Sequence, residues 1–508
     1  MKRVLLIDPS LRVLPPTFFK EQTDIDIVAI IVESDREKDK VLLQRPEVIV
    51  YTFQDILNWN QTFVSHEEII QYRPTQLKVE RLLGRIIKTP EAKILSIYYT
   101  ALAFWLHLFK EKIDCVLVLG DQEHGSFHDS IPIDIAKANS IPVYLTDVFF
   151  GKGGITLFGV LDCITDRHLK IQDIWFDYCP LNLDLVLFDH NRDNEYIPPE
   201  IKNRIMRLLF LFIMNQYVKM KKLLSDLSGH HIVIDNEKRR CTNLILKLYS
   251  PIIFFLNTYI NKNDSRFFAL GIYCRLTFGE FFHFTCFSKS LKHYYNKHAV
   301  SMIPDNQNAV LFFLHLEPEA SIMNRSVYNC QIYNIKMLAR YLPKGWMIYL
   351  KEHPATFGPQ PYPYLKTMEN YRSKEYYKEL LSIPNVSFLD WKIPGSVLLS
   401  NKMKQVRAIA TINGTVSLEC LYQKKPVIIF GPENCPYADI PEVLTVRAET
   451  DLPHIFEKLV NGYSPRYDMF QERLSEYLLI RRGDMNEKIN IPPQLLINLI
   501  EKCALYNL

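Results

Sequence analysis

Short apolar runs punctuate the chain and alternate with longer amphipathic stretches. Val4 to Ile7, closed by Asp8-Pro9, then Ile25 to Val32, then Glu47 to Tyr51 after Pro46, each read as a strand. None alternates cleanly between apolar and polar positions, so the pattern predicts a parallel sheet covered on both faces. A helix rich in Leu, Ile, Ala and aromatic residues is predicted between Glu91 and Lys112. It leads into a strand over Asp114–Gly120, a helix through Ile133–Asn139 and a further strand at Ile141–Leu145. Strand, helix and strand in this rhythm make a Rossmann-like unit.

From about Pro198 to His298 the strand patterns fade and Leu, Phe, Lys and Tyr crowd together, with Met206–Leu224 the clearest predicted helix. The α/β rhythm returns after Pro304. Strands are predicted at Ala309–Leu316, Trp346–Leu350, Val386–Leu389, Ala408–Ile412 and Pro426–Phe430, and helices at Asn329–Leu342, Tyr376–Leu381 and Pro394–Ser400. The tail from Phe470 onward reads as mostly helical. The expected fold is α/β with four parts: a Rossmann-like N-terminal domain over 1–197, a mainly helical connecting segment over 198–300, a second Rossmann-like domain over 301–469, and a C-terminal helical tail over 470–508. The two Rossmann-like halves are expected to face each other across a cleft, with the helical segment inserted between them.

The polar residues that end these strands are the candidate chemistry, because open α/β sheets bind ligands at the carboxyl ends of their strands. The run Trp346–Leu350 stops in Lys351-Glu352-His353-Pro354. Pro354 forbids simple continuation of the strand and restricts His353 to an extended backbone. An imidazole held there can donate to a phosphate oxygen or share a proton with a leaving group. Taken alone, a structural histidine accounts for the pair as well. The second block, Thr411 to Glu419, turns from strand to helix at Asn413-Gly414. Thr415 is then placed to cap the helix, with Ser417 and Glu419 in its first turn. A helix start is an anion site, and Glu419 fits a ribose hydroxyl better than a bare phosphate. A plain capped helix packing Val416 and Leu418 uses the same residues.

Composition narrows the field. Of 508 residues, 48% are hydrophobic and 23% charged, an ordinary globular balance that excludes a disordered chain. A net charge of +4 gives no argument for nucleic acid at this length. Lys219, Lys221, Lys222, Arg239 and Arg240 in the central segment suit either a solvated helix face or contact with a membrane or polyanionic acceptor. The ten cysteines are scattered without C-x-x-C or metal spacing, which points to a reducing cytoplasmic compartment and to no metal site. The N-terminal apolar run is too short for a signal peptide, and no run reaches the ~18 apolar residues of a membrane span. The expectation is a cytoplasmic protein, soluble or peripheral on the inner face of the membrane.

Three blocks in order, Leu314-His-Leu-Glu-Pro-Glu319, Leu350-Lys-Glu-His-Pro354 and Thr411 to Glu419 followed by Lys424 to Gly431, resemble the capsule polysaccharide biosynthesis family, which includes bacterial Kdo transferases. The resemblance covers roughly residues 305–445. It implies a GT-B fold, no cofactor or obligatory metal, and a nucleotide-sugar co-substrate, CMP-linked in the Kdo branch. On this basis His353, Thr415 and Ser417 touch the donor phosphate, Glu419 holds the ribose and Gly431 lines the base pocket. Lys351, Pro354, Asn413, Gly414 and Glu319 complete the expected donor site. In the first half, Gly120 to Ser130 puts five ionisable residues on one strand exit, and Asp121, Glu123 and His124 are the candidate bases for an acceptor hydroxyl. The expected activity is transfer of a sugar to a bacterial capsule or lipopolysaccharide, or to a lipid-linked glycan acceptor, beside capsule assembly proteins. Asp147 to Gly151 stands where the family has an acidic E-x-G-type signature, and this departure leaves donor and acceptor open. A CDP-glycerol-type polymer transferase, a UDP-sugar 2-epimerase and a non-catalytic capsule assembly or export factor are the alternative readings.

Overall fold

The computed structural model describes residues 1–7, 25–84, 91–119, 127–150, 155–174, 278–317, 320–323, 326–357, 368–400, 403–414, 416–431, 435–482 and 493–502. The expected helix Met206–Leu224 and the basic positions between 219 and 240 lie outside these residues, as do Asp121, Glu123, His124, Glu319 and Thr415. By contact density the chain divides into two units. One holds Met1–Asp189, Ser265–Cys274 and His283–Leu508, and the other holds His190–Asp264 and Arg275–Phe282. Both sheets described below belong to the first.

The first sheet contains β1 (Lys2–Ile7), β2 (Ile25–Val32), β3 (Val50–Thr52), β4 (Cys115–Val118), β5 (Val143–Phe150), β6 (Ile155–Asp162) and β7 (Arg167–His168). The strands β1 to β5 pair in parallel in the order β3-β2-β1-β4-β5, and β6 adds to β5 in antiparallel fashion. Alternate side chains of β1 enter opposite layers. Leu5 and Ile7 pack against the helix Glu91–Leu108, while Val4 and Leu6 pack with Leu495, Leu496 and Leu499. Burial on both faces is the physical reason these strands read as unbroken apolar runs.

The second sheet is built from β8 (Ala299–Val300), β9 (Ala309–Phe313), β10 (Met347–Lys351), β11 (Val386–Leu389), β12 (Val406–Thr411), β13 (Val427–Phe430) and β14 (Leu444–Val446). Every pairing is parallel, and the order is β14-β13-β12-β9-β10-β11-β8. From β9 onward this is the doubly wound order, in which the chain builds outward one way from the first strand and then jumps back to build the other way. The reversal lies between β9 and β12. Helices Gln331–Tyr341, Lys374–Ser382 and Asp451–Val460 cover one face with the end of Phe278–His298, and Val416–Tyr422 and Tyr467–Ser475 cover the other.

The tail expected to be helical also supplies a strand. After Tyr467–Ser475, β15 (Leu479–Arg482) joins the open edge of β6 in antiparallel register, and the helix Pro493–Lys502 buries Leu495, Leu496, Leu499 and Ile500 under the first sheet. Leu-Ile-Arg-Arg carries only two apolar residues, so its strand state comes from the partner edge and not from its own pattern. Gly159 on β6 permits the approach, since a Cβ there would stand 2.9 Å from both the Tyr477 carbonyl oxygen and the Leu478 side chain.

Candidate functional site

The carboxyl edge of the second sheet gathers the polar strand exits. On β10, alternation sends successive residues to opposite faces. Tyr349 and Lys351 share the face of the helix Val416–Tyr422, and Glu352 turns to the other. Lys351 is only 5% exposed, yet no acceptor among the described residues lies within hydrogen-bond distance of its ammonium. The Phe313 ring centroid is 5.7 Å from Nζ. Burial lowers the lysine's pKa, an effect that the nearby Glu352 and Asp390 charges oppose. A cation on a largely buried lysine at a strand exit is a group that an incoming anion would satisfy.

Glu352 is fully buried and ionically paired. Its Oε1 accepts from the His353 backbone N–H at 2.9 Å and from Thr356 Oγ1 at 3.1 Å. Its Oε2 accepts from Arg372 Nε at 3.0 Å and from Tyr377 Oη at 2.7 Å. The Glu352 backbone N–H donates to Tyr295 Oη at 3.1 Å, and Tyr295 also lies 2.9 Å from the Leu350 and 2.8 Å from the Leu389 carbonyl. Glu352 therefore acts as an internal brace. The neighbouring His353 and Pro354 are exposed. Although His353 reaches solvent, partial loss of water around its imidazole lowers its pKa, with Lys351 and Arg372 adding to the effect and Glu352 opposing it. The ring is accordingly neutral at pH 7, able to donate one hydrogen bond and accept one.

Arg372 was not singled out by any sequence pattern. Its buried guanidinium donates to Glu352, to Glu317 and to the carbonyls of His315 at 2.6 Å and Tyr371 at 3.2 Å. Glu317 also accepts from Gln331 Nε2 at 2.6 Å. Of the two acids in the Glu-Pro-Glu block, Glu317 is thus tied into the brace.

At the strand-order reversal, His315 meets Thr411. Nε2 of His315 is 2.8 Å from Thr411 Oγ1 and accepts the Ile412 N–H at 3.3 Å, so the imidazole proton is assigned to Nδ1. Burial, with the His353 and Arg372 charges, drops the His315 pKa to about 3. Gly414 lets the chain pass this ring: a Cβ there would be 3.1 Å from Thr411 Oγ1 and 3.3 Å from His315 Cε1.

The remaining expected donor residues divide by exposure. Ser417 is fully buried, with Oγ donating to the Gly414 carbonyl and 3.2 Å from Tyr437 Oη. Tyr437 donates to the Asn413 carbonyl at 3.2 Å, so both hydroxyls hold the Asn413–Gly414 turn. Glu419 is half-buried in the helix Val416–Tyr422. Gly431 follows β13 with a φ of +42°, and a Cβ there would come 3.0 Å from the Tyr328 ring. Its side of the edge is therefore occupied by Tyr328. The strand order thus brings Lys351, His353, Asn413 and Gly414 to one sheet edge and sets Ser417 beneath it. Among the described residues no cluster of His, Cys, Asp and Glu has metal-site geometry, and no helix is long and apolar enough to cross a membrane.

No protein-family model matches the chain, and no curated protein sequence matches it. Among solved structures, it is similar to a beta Kdo 2,7 transferase, KpsC of Thermosulfurimonas dismutans, at 12% identity and a TM-score of 0.25, covering 43% of this chain and 62% of that one. It is also similar to the UDP-GlcNAc 2-epimerase of Neisseria meningitidis bound to UDP-GlcNAc, at 14% identity and a TM-score of 0.22 over 100% and 99% of the two chains. A third likeness, to the calicheamicin glycosyltransferase CalG4, has 12% identity and a TM-score of 0.21 over 100% and 98%. The chain spans about three fifths of the length of the Kdo transferase. The functional reading rests on the sequence blocks and on the geometry of the second sheet.

Proposed function

We propose that the chain is a metal-independent glycosyltransferase that uses a nucleotide-sugar donor, CMP-linked in the favoured form, and acts on a bacterial surface polysaccharide or its lipid-linked precursor. The observation that carries this reading is Lys351, a lysine 5% exposed whose ammonium has no oxygen partner among the described residues, at the carboxyl edge of a doubly wound sheet. In the donor complex its charge meets the phosphate, with the neutral His353 ring donating a second hydrogen bond. Asn413 and Gly414 shape the turn that admits the phosphate, Thr415 supplies a further hydroxyl, and Ser417 supports the turn from beneath. Glu419 takes the ribose and Gly431 lies beside the base. Stabilising charge on the leaving phosphate, while a base from Asp121, Glu123 and His124, with Glu123 and His124 favoured, removes the acceptor proton, accounts for transfer without a covalent intermediate. The chain works at the cytoplasmic face of the membrane.

The test is a donor screen on the purified protein, following release of CMP, CDP or UDP with and without glycan acceptors. Acceptor-dependent CMP release that His353→Ala abolishes supports the proposal. Full activity in folded His353→Ala overturns the assigned site. Interconversion of UDP-HexNAc without acceptor selects the epimerase reading, and absence of CMP and UDP binding by calorimetry selects the non-catalytic one.

A further inference from the structure

We infer that Arg372 is a positioning residue for the edge: through Glu352 it fixes the turn carrying His353, and it cancels the acidic charge that would otherwise repel an anionic ligand. The argument begins with what the guanidinium touches. Its donors reach the exits of two adjacent strands at once, the His315 carbonyl and Glu317 after β9 and Glu352 after β10. Only a planar fork spans these acceptors from one buried point; a lysine offers its protons from a single atom. The Tyr376 ring lies 4.6 Å below the guanidinium carbon and fixes its plane.

Among the described residues, the Glu352 carboxylate links Arg372 to the His353 backbone. Arg372 and Tyr377 hold one Glu352 oxygen, and this leaves the other aimed at the His353 N–H and Thr356 Oγ1. Thr356 N–H in turn donates to the His353 carbonyl at 2.9 Å, which closes the short helical turn Pro354–Phe357. Both backbone polar groups of His353 are therefore set by the Glu352 brace, and Glu352 is set by Arg372.

Charge gives the second part, which rests on the donor-site reading above. Glu317 and Glu352 are both paired with Arg372, while Lys351 stands near Glu352 and Asp390. Without Arg372, Glu317, Glu352 and Asp390 outnumber Lys351, and a phosphate would approach an unpaired Glu317 and an unpaired, buried Glu352. Arg372 thus leaves Lys351 uncommitted.

The experiment follows the His353 ring and ligand binding separately. Protein labelled with 13C at histidine Cε1 is titrated by NMR, with the His353 line assigned by its loss in His353→Gln. The charged groups acting on this ring are Lys351, Glu352 and Arg372, and the neutral, titratable His315 lies near it. In Arg372→Met the titration midpoint is expected to rise, because a nearby positive charge has gone; in Glu352→Gln it is expected to fall. In Arg372→Lys, which keeps charge and comparable bulk, the line is expected to move through lost geometry. Circular dichroism melts identify which variants are folded. An unmoved His353 line in folded Arg372→Lys and Glu352→Gln overturns the positioning role, and these two variants decide it where Arg372→Met does not fold. Calorimetry with CMP then reads the charge role. Binding is expected to be lost in a folded variant without the charge, Arg372→Met or Arg372→Gln, and to be weakened less in Arg372→Lys. Wild-type affinity in the uncharged variant overturns that role. A wild-type protein that binds no CMP defeats the donor reading alone, since the NMR result stands independently.

Discussion

His315 and Thr411 are joined across the point where the second sheet reverses its strand order, with Nε2 and Oγ1 2.8 Å apart. Doubly wound sheets leave a crevice there because the connections from the two central strands depart to opposite sides. Here a neutral imidazole spans it, accepting at Nε2 and buried from solvent. The edge is therefore closed at the β9–β12 seam and polar on either side of it.

The burial of this imidazole predicts an acid limb in the stability curve. The folded His315 pKa of about 3 lies below its ordinary 6.5. Between these values the unfolded chain binds a proton that the folded chain does not, so unfolding is favoured as pH falls. The contribution is full above pH 6.5 and is lost progressively down to about pH 3, at a limiting slope of about 1.4 kcal/mol per pH unit. Urea unfolding of wild type and His315→Gln at several pH values between these limits measures it. Parallel curves for the two proteins would refute the assignment.

Gly414→Ala tests the same seam by adding volume. The new Cβ would meet Thr411 Oγ1 at 3.1 Å and His315 Cε1 at 3.3 Å, both on packed groups. Overpacking of this kind costs about 1–3 kcal/mol. The variant should unfold at lower urea with an unchanged m-value, and any CMP affinity should fall with it. Wild-type stability in the variant would show that the seam yields.

How much of this could be read from the chain depends on where each signal resides. The runs at β1, β2, β4, β9, β10, β12 and β13 were legible because burial on two faces leaves no polar position to hide them. Lys351 and His353 were legible as polar residues ending such a run. Arg372 was not, since its partners stand 20 and 55 positions away and nothing local marks it. Nor was the inward turn of Ser417, because a serine after a strand–helix turn carries the same letters whether it faces a ligand or the Gly414 carbonyl. The tail strand β15 draws its state from the β6 edge, so its own four residues could not announce it.

Tyr295→Phe isolates one hydroxyl of the brace. Tyr295 Oη accepts the buried Glu352 N–H and donates toward the β10 and β11 carbonyls, and burial holds its pKa far above the ordinary range. The phenylalanine keeps the ring packing against Phe388 and Tyr377 and removes only these bonds. Leaving a buried N–H unpaired costs about 1–3 kcal/mol. Denaturant unfolding should register that loss, and an effect below about 0.5 kcal/mol would mean that the N–H finds another partner.

Gly159→Ala probes the tail. Because one of the atoms 2.9 Å from the added Cβ is the Tyr477 backbone oxygen, side-chain rotation cannot relieve the clash. The Leu479–Arg482 strand should pair less well with β6, and the helix Pro493–Lys502 should detach more readily from the first sheet. Hydrogen exchange should accelerate in both segments while the amides of β9 and β12 keep their protection. Uniform acceleration across the two sheets would instead indicate global destabilisation.

Lys351→Met separates stability from binding at the edge. In the wild type the lysine is held 5% exposed beside the Phe313 ring, with no oxygen partner for its ammonium among the described residues. Methionine matches much of the aliphatic stem and removes the desolvation penalty, so the variant should be at least as stable as wild type, by up to about 1 kcal/mol. Binding should move the other way, because the phosphate would then face Glu317, Glu352 and Asp390 without the Lys351 charge. Loss of one charge-assisted hydrogen bond, about 1.5–3 kcal/mol, corresponds to roughly a tenfold to hundredfold weaker CMP affinity. Gain in melting temperature together with loss of nucleotide binding is the signature of a residue kept for its ligand. A Lys351→Met protein that is destabilised and binds CMP as before would show that the ammonium serves the fold, and the donor site would then have to be sought elsewhere on this edge.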